Sequence, residues 1–405
     1  MKKSTIITIV CFALGIFVLT AGFVLLTDNE ISKGFKDLFT TTTTNGGGDN
    51  TVYEPMDFFD VDVSEYLTLG QYKDLVVEVN QTEISQEEID TQIMILLAQK
   101  NEFTKVREGT ITEKVIFNFD YTGYYKKSDG TRGDAFDKGA DTDQLAYIDG
   151  DVFVTVDTDK TGTFIDGFAQ GILGATVGST FTIDVTFPTN YDGSMAGQNV
   201  EFEIKINYIA ETHFTDAWVK EYTSDHYKTT DEFVEYIRTS INEDIKDANL
   251  ESIWLAIAEK ATLDKIPQQQ YDYIYHKMLE EMEGYIQDCI LYSQYYYNQQ
   301  LDYNGAIIQL GFKDEADMKA YIDEYSKAYI KSELVIYAVL QAENIGVSDE
   351  EYRIFMDSLI ESTPGKTEAE LLEKYGEEAI RRAVMMQNLD IFVFNNNSLT
   401  VKTAE

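Results

Sequence analysis

The hydrophobic pattern of this chain changes its period near residue 210, and this change constrains the fold more than any other feature. Before it, apolar and polar residues alternate, as in antiparallel strands with one buried face. After it, apolar residues recur every three or four positions, as in helices. The sequence therefore predicts an α+β protein, with a sheet domain followed by a helical domain. Three segments carry the strand pattern, with apolar faces at Val115, Phe117, Phe119 and Tyr121, at Phe181, Ile183, Val185 and Phe187, and at Val200, Phe202, Ile204, Ile206 and Tyr208.

Signals at helix ends support the helical pattern. Pro267 suits a first helical turn, where the N–H that proline lacks would have no partner. The stretch from Pro267 to Gln300 contains no other proline and one glycine, so it predicts a helix of about 50 Å. In an earlier helix Ile89, Ile93 and Leu96 share one face. Capping boxes, in which Ser or Thr precedes Glu by three positions, mark helix starts at Ser85 and Glu88, Ser348 and Glu351, and Thr367 and Glu370.

Charge and composition exclude several classes of function. The 405 residues carry a formal net charge of -39, which disfavours nucleic acid as a partner. The two cysteines and three histidines have no metal-ligand spacing, so neither a metal nor another cofactor is expected. The segment from Asp157 to Gly162 matches the start of a calcium-binding loop. Its twelfth position is Phe168 rather than glutamate, so an acidic turn is the preferred interpretation.

The N-terminal region indicates a membrane segment. Thr5 to Leu26 is an uncharged run of 22 residues, long enough to cross the roughly 30 Å hydrocarbon core. An uncleaved anchor is preferred over a cleaved signal peptide, because the small residues near its end lie inside the run. The expected location is the cell membrane, with one span contacting the lipid bilayer and the bulk of the chain extracytoplasmic. The domains expected are an anchor at 1–27, a Thr/Gly-rich tether at 28–56, a strand-helix connector at 57–110, a sheet domain at 111–210 and a helical domain at 211–405.

Five segments resemble a known enzyme family. "FDYTG", "AFD", "FIDGFAQGILG", "STFTIDVTFPTNY" and "VEFEIKI" occur in the order and approximate spacing of an FKBP-type peptidyl-prolyl isomerase domain. The block that begins "GFAQGILG" is most similar to the isomerase domain of bacterial trigger factors. The resemblance covers roughly residues 66 to 400 and includes the connector and the helical chaperone domain. It implies an FKBP-like antiparallel sheet with a short helix, followed by a helical chaperone domain.

The resemblance also implies a site. A dry aromatic cleft would bind Xaa-Pro segments and catalyse their cis-trans isomerisation, and proline-containing or unfolded polypeptides would be the clients. Tyr121, Asp137 and the backbone N–H of Ile165 match the catalytic positions, with Asp137 at the cleft edge. The segment between Phe136 and Phe164 would supply one aromatic wall of the cleft, for which Phe153 is preferred over Tyr147. Gly167 and Gly171 would leave room for the short helix. The cleft lining matches Phe136, Phe153, Phe164, Phe168, Tyr191 and Phe202.

This sequence departs from the family in two places. The 27 residues between Phe136 and Phe164 predict a long acidic loop. A membrane span and tether take the place of the family's ribosome-docking signature, so the ribosome is not expected as a partner. The chain would act on polypeptides after their export.

Other functions stay open from the sequence. The chain could be a holdase that binds clients without isomerase activity, or a tethered structural or adhesion module. Tyr285, Tyr292 and Tyr296 fall near one face of the long helix and favour client binding, although ordinary helix packing explains any single tyrosine.

Overall fold

A computed structural model describes seven stretches of the chain. The anchor predicted at residues 1–27 and the acidic turn at 157–162 lie outside them, as do the side chains of Asp137 and Tyr296. Within the described stretches no helix has both the length and the apolar character needed to span a bilayer. The described residues divide into two compact units, one at 83–242 and the other formed by residues before 83 together with those after 242. The described stretches are 43–44, 52–156, 164–189, 191, 195–297, 300–363 and 365–402.

Strands and helices are numbered in chain order. The strands are β1 Thr43–Thr44, β2 Val52–Tyr53, β3 Leu67–Thr68, β4 Val76–Val79, β5 Phe103–Val106, β6 Phe117–Lys126, β7 Arg132–Asp149, β8 Val152–Thr155, β9 Thr180–Thr186, β10 Asn199–Thr212, β11 Thr262–Leu263 and β12 Ser398–Val401. The helices are α1 Gln86–Gln99, α2 Phe168–Ile172, α3 Asp216–Tyr222, α4 Thr230–Lys260, α5 Gln268–Tyr297, α6 Tyr303–Gln309, α7 Glu315–Glu343, α8 Asp349–Ser362, α9 Glu368–Tyr375 and α10 Glu377–Asn395.

The 83–242 unit is built on an antiparallel sheet of the order β5-β10-β6-β7-β8. The long strand β10 pairs with β6 along one edge, while β9 and then β5 pair with its other edge. Helix α1 precedes the sheet and begins at the predicted capping box of Ser85 and Glu88. Its buried face includes Ile89 and Ile93, as predicted, but Leu97 completes it rather than Leu96.

The prediction of a long acidic loop between Phe136 and Phe164 is wrong for most of that segment. Residues 132–155 form a β-hairpin in which β7 pairs with β8 and Ile148 lies opposite Phe153. Gly150, at φ +58°, lies in the tight turn of this hairpin. Ala146, Tyr147 and Ile148 are buried near the end of β7, whereas Asp141, Asp143, Asp149 and Asp151 are exposed.

Two hydrophobic cores pack against this sheet. The first contains the predicted inward residues of β6, β9 and β10, including Phe119, Ile183 and Phe202, together with helix α2. The second contains Tyr208 with residues of α1. The prediction that Tyr208 lies on the same face of β10 as Ile206 is therefore wrong. The β10-β6 register shifts between Ile206 and Tyr208, and a bulge of this kind moves the following side chains to the other face.

The second unit is helical, as its period predicts. The long helix α5 begins directly after Pro267, and capping boxes start α8 and α9 where the sequence places them. Residues 52–82 pack into this unit: β3 pairs with β11, and β4 pairs in parallel with β12. The Phe58 side chain is buried in the same core.

Candidate active site

The floor of the site is a set of closely packed aromatic rings between α2 and the sheet. The centroids of Phe164 and Phe168 are 4.4 Å apart, and Phe153 meets both edge-on at 4.9 and 5.0 Å. Phe202 on β10 approaches Phe168 at 5.2 Å. Phe168 is only 1% exposed, with Phe153 and Phe202 also buried. Edge-to-face packing of this kind holds each ring in a fixed orientation.

Tyr121 and Phe164 form a half-buried edge above that floor. Their ring centroids are 5.4 Å apart with planes at 85°, and Tyr121 also lies 6.0 Å from Phe202. Burial raises the pKa of the Tyr121 hydroxyl, and the negative charge of Asp141 on β7 raises that pKa further. The phenol therefore stays neutral near pH 7 and can donate a hydrogen bond. The floor and the edge together form the aromatic cluster, which consists of Tyr121, Phe153, Phe164, Phe168 and Phe202.

Phe136 extends the cluster along the sheet, and two glycines make room for its ring. A Cβ atom on Gly123 would lie 2.1 Å from the ring of Phe136, and one on Gly139 would lie 2.2 Å from it. The β6-β7 register shifts here, so that residues 136–139 bulge opposite a single position of β6. The bulge turns Phe136 toward Phe202, with centroids 5.7 Å apart.

These glycines carry a signal that the sequence reasoning missed. Gly123 continues the inward alternation of Phe117, Phe119 and Tyr121 along β6, so it stands at a position where a large side chain is expected. A glycine at such a position indicates close approach of another group.

Tyr191 joins the cluster indirectly. Its ring packs on Phe187 at 4.6 Å, and Phe187 in turn meets Phe136 at 6.2 Å. Tyr191 is 47% exposed, so it lies at the outer end of this row of rings. Phe187, which periodicity assigns to the plain core, is the residue that connects Tyr191 to the site.

The turn into α2 places the Ile165 backbone beside the aromatic cluster. The Ile165 carbonyl accepts a hydrogen bond from Phe168, whereas no described residue accepts one from the Ile165 N–H. Gly167 has φ +87°, which favours glycine. The close packing predicted for Gly167 belongs to Gly171, where a Cβ would lie 2.5 Å from Ile183.

Two further predicted residues, Asp137 and Tyr147, are not seen in the aromatic cluster. Asp137 is part of the β7 bulge, but its side chain lies outside the described residues. Tyr147 packs in the second core, whereas Phe153 belongs to the aromatic cluster, which favours Phe153 as the wall residue. The described residues include no group of three or more His, Cys, Asp or Glu side chains placed to hold a metal ion.

The fold and the site together define a class: an antiparallel sheet packed against a short helix, with a cluster of aromatic rings between them. The chain is similar to trigger factors. That of Bacillus subtilis strain 168 is 27% identical over 299 residues, 72% of this chain and 63% of the relative. That of Desulforamulus reducens is 28% identical over 325 residues, 78% and 66% of the two chains. That of Shouchella clausii is 23% identical over 358 residues, 85% and 75%.

The similarity to trigger factors is limited in its coverage and in its structural agreement. The chain spans 63% of the length of the Bacillus subtilis relative. No family model matches it. A solved structure described as showing promiscuous substrate recognition in folding and assembly activities of the trigger factor chaperone covers 88% of this chain and 78% of its own, with 12% identity and a TM-score of 0.31. Sequence similarity, rather than that superposition, relates this chain to trigger factors.

Proposed function

We propose that this protein is a peptidyl-prolyl cis-trans isomerase and folding chaperone for exported or unfolded polypeptides at a membrane surface. The observation that carries the proposal is the aromatic cluster, whose buried floor of Phe153, Phe168 and Phe202 lies below the half-exposed edge of Tyr121 and Phe164. Proline is an apolar ring, so it fits a pocket of aromatic side chains. Similarity to trigger factors over 72% of the chain supports the same function.

Isomerisation of an Xaa-Pro bond would require few chemical groups beyond this aromatic cleft. Rotation about an Xaa-Pro bond meets a barrier of about 18–20 kcal/mol, and a rate increase of about 10⁴-fold needs about 5.5 kcal/mol. A water-poor cleft favours the twisted amide, which is less polar than the planar one, over the ground state. The Ile165 N–H can donate to the carbonyl oxygen as it turns. No covalent nucleophile is required.

Exposed apolar side chains on the helical unit support the chaperone role. Leu291, Tyr292 and Tyr295 near the end of α5 are 61%, 55% and 80% exposed, and Ile308 on α6 is 61% exposed. Helix α6 packs against α5 in this unit. Apolar side chains left in contact with water are typical of surfaces that bind other polypeptides.

The membrane part of the proposal rests on the sequence. The uncharged run from Thr5 to Leu26 would anchor the chain, and the Thr/Gly-rich tether would hold the folded units on the order of 30 Å from the bilayer. In this proposal the bulk of the chain is extracytoplasmic. Lipid is then a partner of the N-terminal run alone.

An Xaa-Pro isomerisation assay on the full chain in mild detergent tests the catalytic part. The wild type is expected to accelerate isomerisation, and Phe164→Ala should lower kcat/KM at least tenfold. Phe103→Ala, which removes a half-buried ring from the second core, is the matched control and should retain the rate.

A parallel assay of aggregation of an unfolded client separates the alternatives. A wild type that suppresses aggregation without accelerating isomerisation is a holdase. If it does neither, both folding roles are overturned and a structural or adhesion module remains.

A further inference from the structure

We propose that residues 53–63 are a strap that covers a polypeptide-binding surface of the helical unit, and that an unfolded segment with adjacent aromatic side chains displaces it. The proposal rests on the proposed chaperone function, because it names a surface that such a segment would use and the part of this chain that limits access to it. The strap contacts α5, α7 and α10, and its residues 54–62 belong to no helix or strand. The surface under it, the strap site, consists of Gln269, Gln270, Tyr337, Gln341 and Arg382.

Helix α5 holds the strap through backbone atoms. The side-chain oxygen of Gln270 accepts a hydrogen bond of 2.8 Å from the Met56 N–H. The side-chain nitrogen of Gln269 donates to the carbonyl oxygens of Glu54 and Pro55, at 3.3 Å each. All of these bonds go to main-chain groups of the strap, so they are open to any segment that follows the same backbone path.

Gln341 on α7 repeats this arrangement at the other end of the strap. Its side-chain nitrogen donates to the Val61 carbonyl oxygen at 2.7 Å, and its side-chain oxygen accepts from the Val63 N–H at 3.3 Å. A primary amide both donates and accepts, so one glutamine satisfies both kinds of backbone group. The three glutamines of the strap site therefore bind the strap through groups that polypeptides share.

Two adjacent aromatic side chains of the strap supply the apolar contact. The Phe58 side chain is 1% exposed, and its ring centroid lies 5.5 Å from that of Tyr337. Phe59 meets Tyr337 edge-on at 5.2 Å, and the Arg382 guanidinium lies 4.4 Å from the Phe59 centroid. Such contacts favour an aromatic pair in whatever segment occupies the strap site.

The charge of the strap is the reason that another segment can replace it. The strap has four carboxylates and no lysine or arginine, in a chain with a formal net charge of -39. Among the described residues, the ion pair of Asp57 with Arg382, at 2.7 Å, is the one that joins the strap to a cation. A segment with the same aromatic pair and fewer carboxylates would be repelled less by this acidic chain, so it can compete with the strap.

Competition determines the expected affinities. A segment binds only to molecules whose strap is open, so its apparent dissociation constant is the intrinsic one divided by the open fraction. Asp57→Lys replaces the ion pair with repulsion from Arg382. This change should raise the open fraction about fivefold and lower the apparent dissociation constant by the same factor, without altering the strap site. Glu54→Lys is the matched control, because it makes the same charge change at an exposed strap residue whose backbone carbonyl contacts α5.

The test uses the full chain in mild detergent and a fluorescent peptide with the sequence of residues 53–63. Fluorescence anisotropy should show binding to the wild type, about fivefold tighter binding to Asp57→Lys and unchanged binding to Glu54→Lys. A peptide with serine in place of Phe58 and Phe59 should not bind. Hydrogen exchange at the Met56 and Val63 amides should be faster in Asp57→Lys, and in the wild type with bound peptide, because both N–H groups then lose their glutamine partners.

The outcomes separate this proposal from the chaperone function. Peptide binding that displaces the strap supports the proposal, and if the same chain does not suppress client aggregation, only the chaperone function is overturned. Suppression of aggregation without peptide binding to any variant overturns the strap and leaves the chaperone function standing. Equal peptide binding by wild type and Asp57→Lys, or Met56 and Val63 amides that stay protected at saturating peptide, also overturns the strap, since residues 53–63 would then be a permanent part of the core.

Discussion

The side-chain amide of Gln270 donates a hydrogen bond of 2.8 Å to a carboxylate oxygen of Glu333, and both side chains are buried in the helical unit. The Gln270 carbonyl oxygen accepts from the Met56 N–H, also at 2.8 Å. The chain of contacts thus connects α7, α5 and the segment that precedes β3. Burial raises the pKa of Glu333 to about 8, and the bond from Gln270 only partly opposes this shift.

This arrangement predicts that the helical unit loses stability as the pH rises. The pKa of Glu333 is about 8 in the folded chain against an ordinary value of 4.5, so the folded state retains a proton that the unfolded state releases. The stabilisation that this proton provides is complete below pH 4.5. It is lost as the pH rises to about 8, at about 1 kcal/mol per pH unit. Glu333→Gln should therefore be more stable than the wild type at pH 9 and similar to it at pH 5, as measured by urea unfolding.

The control lies on the same helix. Glu324→Gln, at an exposed position of α7, should leave the pH dependence unchanged. Burial also raises the pKa of Glu281 to about 7 and that of Asp247 to about 6, so Glu333→Gln should remove part of the dependence rather than all of it. Equal slopes for Glu333→Gln and wild type between pH 5 and 9 would contradict this assignment.

The glycines around Phe136 give a second prediction. Gly123→Ala would place a methyl group about 2.1 Å from the ring, so the ring must move; we expect a loss of about 1–3 kcal/mol in the free energy of unfolding and a lower isomerisation rate. Gly284→Ala in α5 meets no atom within 4 Å and should stabilise the chain by about 1 kcal/mol. Adding Phe136→Leu to Gly123→Ala should restore part of the lost stability, and failure to do so counts against the contact.

The floor and edge of the aromatic cluster should respond differently to truncation. Phe168 is almost fully buried, so Phe168→Ala should cost about 3–5 kcal/mol. Phe164 is half-buried, so Phe164→Ala should cost less stability while still lowering kcat/KM strongly. Thermal unfolding beside the isomerisation assay measures both. Equal destabilisation by the two variants would mean that Phe164 is core rather than edge.

The exposed end of α5 should act in client binding without affecting isomerisation. Replacing Leu291 and Tyr295 by serine should weaken suppression of client aggregation severalfold, because about 25 cal/mol is lost per Å² of apolar contact removed. The rate on a short Xaa-Pro peptide should not change. Ile354→Ser on α8 is the matched control, since Ile354 is 60% exposed, close to the 61% of Leu291. If Ile354→Ser weakens suppression equally, no specific surface at α5 is involved.

The N-terminal run should determine membrane association. Removal of residues 1–27 is expected to move the protein from the membrane fraction to the soluble fraction after cell lysis, because the uncharged 22-residue run lies within them. Fractionation followed by immunoblotting measures this. A truncated chain that still sediments with membranes and resists extraction by carbonate would show that another part of the chain attaches it.

Local chemistry determined much of the fold from the sequence alone. Ser85, Ser348 and Thr367 each accept the hydrogen bond that their capping boxes predict. Alternation along β6, β9 and β10 correctly identified most inward residues, because a strand with one buried face leaves a period of two in its sequence. These features depend on residues only a few positions apart, so a single sequence contains the information.

The rest was decided by contacts between distant residues. The β10 bulge that moves Tyr208 into the second core, and the β7 bulge that turns Phe136 between Gly123 and Gly139, depend on strand pairings formed only in the folded chain. The burial of Glu333 likewise depends on helices that come together from separate parts of the sequence. Periodicity assigned faces to the strands, whereas the tertiary structure decided which aromatic rings meet, because register and helix packing depend on the free energy of the whole folded unit.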